Sequence, residues 1–517
     1  MLLFYSKRIR IAFIIVLMAI SAKLNAQSGG NPVFRIEQAA DKDALSLSKR
    51  SYPSVRNITI ALNPDTSESI LFPGIEFGDI SLSKEKTAFS AFPIALFEFG
   101  YSNLDNMVHT SAGGFALNGK WGKFSLLTSF IGGGLDQPAY LDDFTDSLGV
   151  ISSFGRNLSD SGKAFFMPSL ALRFDASRIF NFELGYGKNA FGNGYRSLFL
   201  SETAFNYPYL KIETNVWRIK YTNLFSWLKD IRVDPSDPNS FRDKFSSTHY
   251  LNWAVSPRFN IGLFETIVWQ ATDTLSNRGF DPNYLNPIIF YRPVEFSIGS
   301  PDNAIIGLDL SYKAFRNSLI YGQLVFDEFL LSEFRAREGW WGNKWGAQIG
   351  VKMYDPFGFS NSFFRAEFNF ARPFTFTHGS VLQNFAHFNQ PLAHPLGTNF
   401  YEGILQAYHE RGDWFFEAQW NYGIFGRDPD SLNFGGDIYR SYANPAETYG
   451  NETAQGIKTQ LFYQRLAGGL ILNRALNLRA TVYYIYRRQD TEFSAINNEH
   501  IFGLRIATEL FRSTTDF

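Results

Sequence analysis

The chain of 517 residues has no cysteine. That excludes a disulfide scaffold, thiolate metal sites, cysteine catalysis and a lipid-modified N-terminal cysteine. It has almost no net charge, formally −1, so it lacks the basic excess that nucleic acid or a polybasic membrane-surface role demands. Beyond the first residues it lacks any apolar run of the eighteen or so residues that a spanning helix needs. What it has in excess is aromatic: 54 Phe, 25 Tyr and 10 Trp, with 42 Gly. An apolar share of 45% is that of an ordinary folded chain and excludes disorder.

The start reads as an address. Lys7, Arg8 and Arg10 precede the apolar run Ile11 to Ile20, and Leu24-Asn25-Ala26 offers a cleavage site before Gln27. This is the pattern of a secretory signal peptide over 1–26, and its removal would leave a net charge of −5. Residues 27–92 are irregular and read as a periplasmic or plug-like segment. Residues 93–517 are the body.

The body alternates with period two. In Trp345–Met353 one face is Trp345, Ala347, Ile349, Val351 and Met353, and the other is Gly346, Gln348, Gly350 and Lys352. Phe180–Tyr186, Phe364–Phe370, Trp414–Tyr422 and Leu476–Tyr486 behave alike. Each such strand has one dry and one wet face. Three features favour a transmembrane antiparallel β-barrel over a soluble sandwich. Charge sits mid-strand on the wet faces, Trp and Tyr mark strand ends, and connections alternate between short and long. Within hydrocarbon no backbone amide can go unpaired, so the sheet must close. From Pro93 to Phe511 eighteen strands are expected, with tight periplasmic turns and long extracellular loops at about 132–163, 188–207, 227–248, 269–303, 327–344, 372–399, 424–456 and 489–499. The final strand, His500–Phe511, resembles the recognition strand read by barrel-insertion machinery.

Five segments carry a family likeness. They are Gly192 to Ser201 (GNGYRSLFLS) with Tyr207-Pro208-Tyr209, Tyr284-Leu285-Asn286-Pro287 with Ser300-Pro301-Asp302-Asn303, Gly339 to Lys344 (GWWGNK), Arg372 to His378 (RPFTFTH), and Leu392 to Glu402 (LAHPLGTNFYE). In this order they resemble the Wzi-like capsule-assembly family, and within it the branch related to the gliding-motility protein RemB of Bacteroidetes-type bacteria. The resemblance spans roughly 90–511. It implies an eighteen-stranded outer-membrane barrel that helps attach or organise surface polysaccharide, with no enzymatic activity. Residues 27–90 depart from the helical periplasmic segment of the capsule proteins.

Other chemistry reads as weak. His378, His387 and His394 lie nine and seven residues apart, which fits no usual metal pattern and points to loop packing. Asp428, Asp430, Asn433 and Asp437 lack the ligand order and terminal Glu of a calcium loop. No Gly-x-Ser-x-Gly elbow supports a lipase, and Gly192-Asn193-Gly194 lacks the Lys-Ser/Thr of a phosphate loop. No cofactor is expected. Sugars present apolar C–H faces and hydroxyls, and aromatics beside Arg, Asp, Asn and Glu satisfy both. The candidate glycan residues are Tyr195, Arg196, Asp302, Asn303, Trp340, Trp341, Arg372, His378, Asn399 and Glu402, with Arg372 and the Trp pair foremost. The expected partners are outer-membrane lipid, surface polysaccharide and other cell-surface or motility proteins.

A porin-like channel is the first alternative. Inward Arg173, Arg365, Arg479 and Arg505 face Glu183, Glu367, Glu417 and Glu509, and these either cross-link the lumen or line it. A motility or adhesion accessory is the second.

Overall fold

A computed structural model of the chain describes residues 55–56, 87–104, 106–159, 162–272, 277–290, 302–474, 476–509 and 514–517. The signal-peptide reading and most of 27–92 lie outside the described residues. Within that stretch, Val55–Arg56 pairs antiparallel with Ala190–Phe191.

Eighteen antiparallel strands close into a barrel. They are β1 (Thr87–Ser102), β2 (Asn106–Trp121), β3 (Phe124–Asp136), β4 (Lys163–Asp175), β5 (Phe180–Gly187) and β6 (Tyr207–Val216). Then come β7 (Ile219–Asp230), β8 (Arg242–Ala254), β9 (Phe259–Gln270), β10 (Asn303–Tyr312), β11 (Ser318–Phe326) and β12 (Trp345–Tyr354). The last six are β13 (Ser362–Ala371), β14 (Phe400–Arg411), β15 (Trp414–Arg427), β16 (Ile457–Asn473), β17 (Leu478–Thr491) and β18 (Asn497–Thr508). Closure comes from β1 against β18, in register from Leu96↔Ala507 to Ser102↔Ile501. An open eighteen-stranded sheet would leave two long unpaired edges; closing it removes both.

The expected count and alternation hold, and the strands run longer than their apolar patterns. The first begins at Thr87 rather than Pro93, because register with β2 continues to Thr87↔Trp121. The connection expected at 489–499 shrinks to 492–496, since β17 and β18 pair out to Gln489↔Asn497. At one end of the barrel the connections are tight, as at Gly122–Lys123 and Gly412–Asp413. The other end carries the long loops 137–162, 188–206, 231–241, 271–302, 327–344, 372–399 and 428–456. Among the described residues of these loops are two short α-helices, α1 (Ala139–Leu148) and α2 (Leu331–Ala336).

In β12, Gly346, Gln348, Gly350 and Lys352 point inward and are buried, while Ile349 on the outer face is 61% exposed. Leu184, Val482, Phe502 and Leu504 are likewise exposed on the outside. Trp217 and Trp414 are exposed at the turn end, beside Trp253 and Tyr312. An outer wall this apolar, rimmed by Trp and Tyr, is stable against hydrocarbon and not against water.

The mid-strand charges line the wall and pair along it. Arg479 and Arg465 both reach Glu417, at 3.1 and 2.8 Å. Arg505 reaches Glu98 and Glu509 at 2.9 Å each, and Arg173 reaches Glu213 at 3.1 Å.

Candidate functional site

The loop 188–206 does not stand above the barrel; it enters it. At Gly192, φ is +123°, and a Cβ there would lie 2.2 Å from Gln323 Nε2. A side chain at Gly194 would meet Glu367 Oε2 at 2.6 Å. The two glycines thus let the backbone lie directly on the inner wall. Glu367 accepts from the Tyr195 and Arg196 amides at 2.6 and 3.0 Å, and Gln323 Oε1 accepts from the Leu198 amide at 2.8 Å.

This placement carries Arg196 into a buried hub. Its guanidinium meets Glu402 of β14 and Asp516, each at 3.1 Å. His394 Nε2 lies 2.7 Å from the same Glu402. The Tyr195 hydroxyl donates to Asp516 at 2.8 Å. Burial works against the Arg196 charge, yet the Asp516 and Glu402 carboxylates hold it above the ordinary arginine value. For His394 burial wins over the neighbouring carboxylate, and the ring is held neutral below its usual range.

Beside the hub the lumen is dry. Phe191, Leu198, Phe199 and Leu200 of the entering loop pack with Phe376, Phe385, Leu392 and Ala393 of loop 372–399. They meet inward Tyr207, Tyr209, Leu224, Tyr250, Phe264, Ile305 and Val325 of the wall. Phe199 and Phe264 stack with centroids 4.5 Å apart. A packed apolar core therefore fills the β6–β11 half of the mouth.

The other candidates sit in the loops that cover this core. Asn399, with φ +60°, accepts from the Ala454 amide at 2.7 Å. It also donates to the Gly426 and Gln455 carbonyls at 3.1 and 2.9 Å, and so ties loop 372–399 to loop 428–456. Arg372 follows β13 and donates to the carbonyls of Trp340 and Asn451 at 3.4 and 3.3 Å. Burial pulls its pKa below the usual arginine value, and among the described residues its buried Nε has no hydrogen-bond partner. Trp340 and Trp341 lie 5.9 Å apart and half-buried, Trp341 against Phe374 and Tyr442. His378 packs edge-on to Tyr442 at 5.6 Å, and burial lowers its pKa to about 4.

Asp302 and Asn303 belong to a different neighbourhood. Asp302 takes both Arg278 at 2.8 Å and Gln383 at 3.0 Å, and Asn303 donates to the Gln383 carbonyl at 2.9 Å. Six of the ten candidates are buried: Arg196, Asp302, Asn303, His378, Asn399 and Glu402. They do not form one open surface. Arg196, Glu402 and Tyr195 converge in the lumen, whereas Trp340, Trp341 and Arg372 converge on the loop face.

His378, His387 and His394 do not meet. His387 lies against Tyr207 and accepts from the Lys229 amide at 2.9 Å, with its pKa pushed by burial to about 3. In the acidic loop, Asp428 caps the Phe434 and Gly436 amides at 2.8 and 3.0 Å. These carboxylates shape a turn.

Two features escape sequence reasoning. The first is a polar row on the outer face, Asn223, His249 and Glu265, aligned across β7, β8 and β9. It is buried because residues 277–290 fold down over the wall. The Phe290 amide donates to Glu265 at 2.7 Å, and Ser247 donates to the Tyr284 carbonyl at 2.8 Å. Trp269, Phe245 and Ile267 pack beneath Tyr284. The signal was present: all three polar residues fall on the apolar phase of their strands. The second is residues 514–517, which run inside the lumen.

No protein family's sequence profile matches the chain, and no curated protein matches it in sequence. Its fold has counterparts among solved structures. One is Wzi of Escherichia coli, described as an outer-membrane protein involved in group 1 capsule assembly and a carbohydrate-binding β-barrel. It is 11% identical with a TM-score of 0.50, covering 80% of this chain and 84% of Wzi. OprD of Pseudomonas aeruginosa is 7% identical with a TM-score of 0.44, covering 83% of this chain and 97% of OprD. OpdK of the same organism is 8% identical with a TM-score of 0.44, covering 81% and 98%. The fold is thus that of outer-membrane barrels. The RemB-related branch finds no counterpart in these comparisons.

Proposed function

We propose that the protein is an exported outer-membrane barrel that retains or organises surface polysaccharide through its loop face. The observation that carries this reading is the half-buried Trp340–Trp341 pair beside Arg372, set on loops that cover a mouth filled on one side by a dry core. Adjacent indoles give a platform for sugar C–H faces, and a partly desolvated guanidinium offers hydrogen bonds to hydroxyl or carboxylate groups. The ordered likeness of five segments to the Wzi-like family points the same way.

Replacing both Trp340 and Trp341 with Ala tests it. Retention of purified surface glycan should fall while heat-modifiable gel migration stays that of the parent; unchanged retention refutes the assignment. The rival reading is a diffusion channel. The wide bore of an eighteen-stranded barrel favours it, and the packed β6–β11 half opposes it. Large stable openings of the full chain in planar bilayers would support the channel. A motility accessory rests on the RemB-like segments alone, and a deletion that stops gliding yet leaves glycan retention intact would support it.

A further inference from the structure

The lumen is not filled evenly. Opposite the dry core, a cavity of about 320 Å³ lies along β1–β3 and β15–β18. Arg465, Arg479 and Arg505 face Glu98, Glu417 and Glu509 around it, already paired along the wall. Tyr195, Tyr463 and Tyr483 add rings and hydroxyls, and Leu96, Val108, Ile131, Leu135 and Ile501 make much of the remaining lining apolar. Arg505 and Thr508, toward the turn end of β18, line it, and so do Tyr140 of α1, Ser152, Thr515 and Asp516.

Residues 514–517 are held there from several sides. The Ser152 hydroxyl donates to the Thr514 carbonyl at 2.6 Å, and the Thr514 amide donates to Ser153 at 2.9 Å. The Tyr140 hydroxyl donates to the Thr515 carbonyl at 2.7 Å. Asn421 donates to the Asp516 carboxylate at 2.9 Å, and Arg196 grips the same carboxylate. The Arg487 guanidinium donates to the Phe517 carbonyl at 3.3 Å, and the Phe517 ring stands edge-on to Phe144 of α1 at 5.0 Å. The segment thus bridges α1, the entering loop and the β15–β17 wall.

We propose that residues 514–517 are a stopper in a path of mixed apolar and polar lining through the barrel, and that the path passes small uncharged polar solutes of sugar size once the stopper is withdrawn. The solute class follows from the lining. Three of its arginines and three of its glutamates are already paired with one another, so an ion gains little from them, while a polyhydroxyl solute finds donors, acceptors, ring faces and apolar surface together. The cavity lies at the lower end of the range of small-molecule pockets. This inference is independent of the glycan reading, which concerns the loop face.

The test compares the full chain with a chain lacking 514–517 and with Asp516→Ala, each reconstituted in liposomes and challenged with glucose. Migration on unheated gels serves as the fold control. The full chain should be closed, and removal should raise the swelling rate roughly tenfold or more, with Asp516→Ala between them. A folded truncated chain that stays closed overturns the proposal, as does a full chain that is equally permeable. Should truncation block folding, the cysteine-free chain offers a second route. Thr514→Cys in the full chain should react with a water-soluble maleimide more than roughly tenfold slower than Phe493→Cys in an exposed loop. Equal labelling rates overturn it as well.

Discussion

Arg196→Ala should be among the most damaging single changes in the lumen. The guanidinium is 3% exposed and serves two carboxylates, Glu402 at 3% and Asp516 at 5%. Removing it leaves Glu402 with His394 at 2.7 Å and Asn369 at 3.4 Å, and Asp516 with neutral donors. Two buried carboxylates then lose their cation. Breaking a buried pair from one side costs about 3–5 kcal/mol, mostly the price of the stranded charge. The loss is best read as a shift in the urea midpoint for unfolding from lipid vesicles, with the slope unchanged. A second signature separates electrostatics from lost packing. Arg196 helps hold His394 neutral, so in the variant that ring gains a proton more easily beside Glu402. The depressed His394 pKa costs the parent stability as pH falls below the unfolded value, and a less depressed one costs the variant less, so the variant should lose less at pH 5.5 than at pH 8. Adding Glu402→Gln should recover part of the loss, because one stranded charge is gone. A cost under about 1 kcal/mol, or no recovery in the double variant, would refute the reasoning.

Acid should loosen the loop cover. Burial holds His378 near 4 and His387 near 3, below the unfolded value of about 6.5, so their contribution is complete above that value and is lost as pH falls through it toward 4. At pH 5 each should contribute about 2 kcal/mol less than at pH 8, and protease nicking within 372–399 should rise, less so in His378→Gln. Asn399→Ala removes hydrogen bonds that join two loops and places Ala at positive φ; a local loss of roughly 2–4 kcal/mol should appear as faster amide exchange at 451–456. Arg278→Ala strands the buried Asp302 and should expose 271–290 to protease at a cost of roughly 2–3 kcal/mol, while β9 and β10 keep their exchange protection.

The wall was legible because it separates two solvents, and a period of two is what such a boundary writes into a strand. Ile349 and Lys352 of β12 lie on the faces that their alternation predicts. Strand ends were less legible, since backbone pairing continues where side chains cease to alternate, as at Thr87↔Trp121. The hub was half legible. Arg196 and Glu402 both stood out by residue type, but 206 residues separate them, and only the entering loop brings them together. Glycine at 192 and 194 is the trace of that entry, although neither the family likeness of this segment nor its mismatch to a phosphate loop says where the loop goes. Asp516 carried no such trace. Nothing local marks a carboxylate whose partners lie on β15 and in loop 188–206.

The two halves of the lumen divide the labour of the molecule. Along β6–β11 the wall is covered inside and out, and in β8 it is buried without interruption from Lys244 to Tyr250. Loops pack against both of its faces there, the dry core within and residues 277–290 without. A wall covered on both sides stores cohesion, so substitutions in Phe199, Phe264 or Trp269 should act through stability. Along β14–β18 the inner face is charged and hydroxylated in part, and α1 and residues 514–517 border the cavity toward the loop end. Hydrogen bonds from single side chains hold residues 514–517 on that side, so substitutions in Asn421 or Arg487 should change permeability before they change stability. Measuring swelling and urea midpoint on the same pair, Phe264→Ala and Asn421→Ala, separates the two. A midpoint loss confined to the first and a permeability gain confined to the second follow from this asymmetry, and equal effects from both would mean that the lumen is packed as one body.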